Sequence, residues 1–124
     1  MNWSVTGAAL LALGVVFGAF GAHALREQLT ASAMLSVYEK AVFYHFIHAL
    51  GLLIVSILPR TRTFPESATS LICALLLAGI VLFSGSLYVM ALTGIRALGA
   101  ITPIGGLSFI AAWLALAWYM MRHG

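Results

Sequence analysis

The sequence contains no aspartate, and only three Glu stand against six Lys/Arg in 124 residues. Without Asp a Ser-His-Asp triad cannot be built, and no Glu lies inside an apolar stretch where it could stand in. The G-x-S-x-G, H-E-x-x-H and phosphate-loop patterns are missing too, and the segment 79–85, although bounded by glycines, matches none of them. No catalytic residue is therefore assigned, and the chain reads as a non-enzyme. A soluble domain carries about 25% charged residues; this chain carries 7%, with 63% hydrophobic residues. So few charges cannot cover a water-soluble globule, which excludes an ordinary soluble enzyme, a disordered chain and a nucleic-acid binder. The net charge of +3 is too small for a phosphate-binding surface. A single cysteine, Cys73, rules out a disulfide framework within the chain and reads as a small packing residue.

What the chain has instead is four long uncharged stretches, at residues 1–25, 41–59, 67–95 and 97–121. A hydrocarbon core about 30 Å thick takes about 20 helical residues to cross. Backbone in lipid must pair within its own segment, so these stretches read as helices; alternating segments of the β-barrel kind are not seen. The expected fold is an all-α membrane protein: one domain, residues 1–124, forming a four-transmembrane-helix bundle with spans at about 3–25, 37–58, 65–92 and 103–121. The connection 26–40 has Leu25, Leu29, Ala33, Val37 and Ala41 at four-residue intervals. It reads as a short interfacial helix between the first two spans. Ala22, His23 and Ala24 resemble a signal-peptide cleavage site. No Lys or Arg precedes them, however, and residues 1–25 are read as a retained first helix.

Local signals set the expected boundaries. Ser36 and Glu39 have capping-box spacing, as do Thr63 and Glu66, with Pro65 in the first turn. Thr93 and Gly94 read as a C-cap. The fourth span allows two readings: a helix from Ala97 kinked at Pro103, or a fresh start with Thr102 as N-cap. The second is preferred, which leaves residues 95–101 as non-helical or re-entrant backbone.

Four spans put both termini on one side. That side holds Arg60, Arg62 and Arg122, and the other Arg26, Lys40 and Arg96. The tie leaves orientation open under the positive-inside rule. The uncharged polar residues are unevenly distributed. His23, Tyr44, His45, His48, Ser84, Ser86, Tyr88 and Thr102 all fall toward the end bearing Arg26, Lys40 and Arg96. Trp3, Phe64, Trp118 and Tyr119 read as an aromatic girdle at the other end.

Those eight residues and Arg96 form the candidate polar site. His45 and His48 stand three apart and share a helical face. A metal or haem ligand, a proton relay and a polar pocket are the functional readings. Hydrogen bonding between helices, with Ser84, Ser86 or Tyr88 as partners, is the preferred one. No metal site is assigned, because His23 is the only other His on that side and no ligand set closes by spacing. Arg96 reads as a snorkelling side chain, with lipid phosphate, Glu27 or Glu39 as other partners. Gly7, Gly14 and Gly21 recur at heptad spacing, and Gly14, Gly18 and Ala22 form a small-residue ridge. With Gly105 and Gly106 they read as helix-packing positions, with a homo-oligomer seam as the competing reading.

Four motifs in order carry a resemblance: Phe17 to Leu25 (FGAFGAHAL), Tyr44 to Ala49 (YHFIHA), Phe83 to Tyr88 (FSGSLY) and Leu98 to Gly106 (LGAITPIGG). They resemble the domain-of-unknown-function 423 family of small bacterial inner-membrane proteins. The resemblance implies a multi-pass protein of the bacterial inner membrane. It implies no activity and carries over no catalytic residue. The expected function is that of a structural or accessory protein that binds lipid or protein partners. Its partners would be the bilayer, a second copy or another membrane protein, with no cofactor and no nucleic acid. The alternative is an oligomeric channel or transporter built around His45 and His48.

Overall fold

The computed structural model describes residues 2–61 and 63–123. Arg62, counted above in the charge balance, lies outside the described residues. Helix α1 (Trp3–Ala22) is started by Asn2, whose side chain accepts from the Val5 N–H at 3.3 Å. Short α2 (Arg26–Ala31) follows, then α3 (Leu35–Ser56) and a 3-10 turn at Leu58–Thr61. Next come α4 (Glu66–Gly79), a π-helical turn (Ile80–Ser84), α5 (Gly85–Thr93), a second 3-10 turn (Arg96–Ala100) and α6 (Thr102–His123). Counting α4 and α5 as one span, four helical runs among the described residues are long and apolar enough to cross a membrane. The expected four-helix bundle with a short helix between the first two spans is the observed fold.

Helix α3 is the hub, touching α1 on one side and α4, the π turn and α5 on the other, while α6 packs on α4. One core cluster joins Leu52 and Val55 of α3 to Ile72, Cys73 and Leu76 of α4 and Phe109 and Ala112 of α6. Cys73 is fully buried there, with its Sγ 3.7 Å from the Leu52 carbonyl, as a small packing residue would be. Asn2, Arg60 and Glu66 line one cleft, and Leu58, Phe64 and His123 line another. Asn2 and His123 therefore lie at the same end as Leu58–Thr61 and Glu66.

The helix starts differ from the spacing-based expectation. Neither capping box forms: α3 begins at Leu35 after Met34, and α4 at Glu66 after Pro65, neither with a side-chain cap. At α3 the reason is the turn before it. Ala33 adopts a left-handed conformation (φ 60), and the Met34 N–H bonds back to the Leu29 carbonyl at 2.9 Å. This is a Schellman closure of α2, with Leu29 and Met34 supplying its apolar contact. It delivers the chain into α3 two residues ahead of where a Ser36 cap would start it. At α4, Thr63 instead shares a 3.1 Å hydrogen bond with Thr61. A left-handed residue other than Gly costs roughly 1–2 kcal/mol. Ala33→Gly is therefore expected to raise bundle stability by about 1 kcal/mol in a denaturant titration of micellar protein. A loss of stability would contradict the turn as described.

The Gly94 cap is as expected: φ is 76 and its N–H bonds the Met90 carbonyl at 2.8 Å. The last span starts afresh at Thr102, with Pro103 in its first turn, so the fresh-start reading holds within one residue. The segment before it is a 3-10 turn rather than irregular backbone. Phe64, expected in the aromatic girdle, is instead buried in the core beside Tyr119.

Candidate functional site

His45 projects from α3 between α1 and α5. Its Nε2 lies 2.7 Å from the Leu10 carbonyl and its Nδ1 2.8 Å from the Tyr88 hydroxyl. A carbonyl can only accept, so Nε2–H donates to Leu10 and, in the neutral ring, Nδ1 accepts from Tyr88. One imidazole thus ties three helices together. Phe17 packs against both His45 and Tyr88. Tyr38 reinforces the same seam, its hydroxyl donating to the Phe17 carbonyl.

His48 points elsewhere. A three-residue step turns a helix about 60° short of a full circle, and here that offset separates two seams. His48 Nδ1–H donates to the Tyr44 carbonyl one turn back, at 2.8 Å. Its ring stacks on Phe109 of α6, with centroids 3.5 Å apart and planes 12° from parallel. Tyr44 and Trp113 also pack near the ring, and Phe83 lies behind them against Tyr44 and Phe109. The two histidines are neighbours on α3 but serve different partners.

The hydroxyls are distributed in the same way. Ser84 is fully buried and donates to the Ala41 carbonyl of α3 at 2.8 Å. Ser86 donates to the Phe83 carbonyl at 2.9 Å and sits 2.6 Å from Thr102, which in turn donates to it. That pair fastens the first turn of α6 to α5. His23 and Arg96 stand apart: both are exposed, His23 beside a shallow depression with Ala19 and Phe20, Arg96 on the second 3-10 turn. Seven of the nine candidate residues thus lie along helix seams, as several local contacts rather than around one cavity. Among the described residues, no buried side-chain N or O lacks a hydrogen-bond partner. Nor do three or more His, Cys, Asp or Glu there come together.

Gly7, Gly14 and Gly21 all face α3, against Leu53, Phe46 and Tyr38 respectively. Gly105 lies against the Phe83 backbone in the π turn, and Gly106 meets the Phe83 ring at ordinary distance. Gly18 faces Val42 across a wider gap and floors a groove on the outer surface.

Sequence reasoning missed three features. Ser108 donates to the Leu75 carbonyl at 2.6 Å, joining α6 to α4. Ser4 and Ser56 pair at 2.9 Å between α1 and α3. Around that pair a polar cleft of about 310 Å³, bordered by Arg60, Glu66 and Ser70, opens at the end expected to be mainly aromatic. The signal was available: span parity places Ser4, Ser56 and Ser70 at one end.

A family model described as a protein of unknown function, DUF423, matches residues 17–106. That range takes in every candidate polar residue. A UPF0382 membrane protein of Staphylococcus haemolyticus is 50% identical over 90% of this chain and 88% of its own. One from Staphylococcus saprophyticus is 51% identical over 87% and 85%. The UPF0382 membrane protein YwdK of Bacillus subtilis is 47% identical over 87% and 85%. No solved structure matches the chain.

Proposed function

We propose that this chain, which belongs to the DUF423 family, is a non-catalytic accessory protein of the bacterial inner membrane that works through its lipid-facing surface. It is a small four-helix membrane protein, so the bilayer is its solvent. The observation that carries the reading is how its intramembrane polarity is used. Both ring nitrogens of His45 are engaged by other helices, and Ser84, Ser86, Thr102 and Ser108 each serve a seam. Interhelical hydrogen bonds in lipid contribute about 0.6 kcal/mol each on average, up to about 1.7. Several together favour one fixed arrangement of the helices. A translocation pathway needs polar groups free to exchange partners with a passing solute, and this use of them runs against that. The outer surface offers the grooves instead, which suits recognition of lipid or of a protein partner.

Reconstitution tests the reading. Liposomes containing the protein and a pH-sensitive dye are expected to leak protons and potassium no faster than empty ones. Protein extracted with its surrounding bilayer is expected to retain phospholipid or a second protein. Proton or potassium flux that is lost in His45→Ala would overturn the accessory role in favour of a channel.

A further inference from the structure

Along the outer surface between α1 and α3 runs an apolar groove of about 470 Å³. Gly18, Gly21 and Ala22 give its α1 wall no side chain larger than a methyl. Val42, Phe43, Phe46 and Ile47 supply the α3 wall. Its deep end lies level with Ile47 and its mouth with Glu39, eight residues apart, or about 12 Å along the helix. Half of a bilayer's hydrocarbon core is about 15 Å. The groove therefore follows one leaflet, from near the midplane to the headgroup level.

Two charges of opposite sign border the mouth: Arg26, at the start of α2, and Glu39, in the second turn of α3. Their chain neighbours Glu27 and Lys40 do not line it; Glu27 borders an adjoining depression with His23 and Thr30, and Arg26 stands between the two. The mouth thus presents one guanidinium and one carboxylate above an apolar channel. Guanidinium groups bind phosphate through paired N–H donors. A carboxylate only accepts, so it favours a cation that carries N–H donors.

We propose that this groove holds one phospholipid with a primary-ammonium headgroup, phosphatidylethanolamine. An acyl chain lies over Gly18, the phosphate on Arg26 and the ammonium on Glu39. The inference rests on the accessory reading and narrows it to one ligand and one surface. Charge complementarity selects the headgroup. Phosphatidylglycerol offers Glu39 only neutral hydroxyls and has no ammonium to offset that carboxylate. Phosphatidylcholine has no N–H for Glu39 to accept.

The test is lipid retention by the intact protein, read by native mass spectrometry after exchange into equimolar mixtures of the three phospholipids. Wild type is expected to keep phosphatidylethanolamine ahead of the other two by about fivefold, the effect of roughly one interfacial charge contact. Arg26→Gln should lower retention of every phospholipid. Glu39→Gln should remove the preference, raising phosphatidylglycerol to parity. Both positions are exposed, so folding should persist, as circular dichroism would report. Gly18→Leu, whose side chain would occupy the channel, should lower retention without changing headgroup preference. Equal retention of the three lipids by wild type would overturn the proposal. So would unchanged retention in all variants, or cross-linking of a second copy through Phe43. Lipid held elsewhere, with the variants silent, would sink the groove and spare the accessory role. Ion flux in liposomes would sink that role itself.

Discussion

Gly105→Ala is expected to destabilise the bundle by about 2–3 kcal/mol, the upper part of the usual range for overpacking. The added Cβ would lie 2.8 Å from both the Cα and the Cβ of Phe83. The Phe83 backbone N is closer still, and N and Cα are main-chain atoms of the π turn, so relief requires one helix to move away from the other. Gly51→Ala makes the informative comparison. Its Cβ would meet the far edge of the Trp113 ring at 2.6 Å, but Trp113 is 36% exposed and can swing toward lipid. Its cost should stay below about 1 kcal/mol. At Gly106 the nearest Phe83 ring atom would be 3.8 Å away, so Ala there should be close to neutral. Equilibrium unfolding in mixed micelles would rank the three. Equal losses at Gly105 and Gly51 would mean that α6 does not approach the π turn as closely as described.

His45→Ala is the second large effect, about 2–3 kcal/mol. It removes two interhelical hydrogen bonds and leaves the Leu10 carbonyl and the Tyr88 hydroxyl without that partner. It also takes away a ring packed against Phe17. Tyr88→Phe removes a single bond and should cost about 1 kcal/mol. The two changes share an interaction, so the double variant should cost about 1 kcal/mol less than the two single losses combined. Strict additivity would show that His45 and Tyr88 do not bond. His48→Ala serves as a contrast inside the same helix. Its polar contact is to the Tyr44 carbonyl of its own helix, so its loss is mainly one of stacking on Phe109 and should show no coupling to Tyr88.

Hydrogen bonding of His45 to Tyr88 was among the readings that residue type and span parity supported. Parity brings Tyr88 to the right depth, and an intramembrane imidazole seeks a partner on a neighbouring helix. The Leu10 carbonyl was not foreseeable, because every residue has one and only the docking of α1 singles it out. The shared face of His45 and His48 was real on a helical wheel and misleading in the bundle. Their angular offset is enough to send one ring toward α1 and α5 and the other toward α6. The capping boxes failed for a similar reason. Ser36 and Thr63 have the right spacing, but the entering backbone never gives them cap geometry, since Ala33 turns the chain first and Pro65 takes the position before α4.

Charge and apolar run length alone determined that this chain is a four-span helical membrane protein, and the four-residue apolar spacing from Leu25 onward pointed to the short helix after the first span. Hydrocarbon demands about 20 residues of internally paired backbone whatever lies beside it, so that conclusion needed no knowledge of neighbours. The Gly94 cap and the start near Pro103 were likewise local, being properties of backbone freedom and of a missing N–H. Tertiary structure decided the rest. The π turn at Ile80–Ser84 has no local signature; it exists where Phe83 and Gly105 meet. The groove between α1 and α3 depends on Gly18 standing off from Val42 while Gly21 packs close to Tyr38. Arg26 and Glu39, thirteen residues apart in the chain, share its mouth because the turn at Ala33 folds α2 back toward α3. Helical periodicity states which way a side chain points, and only the packing of one helix on another states what it meets.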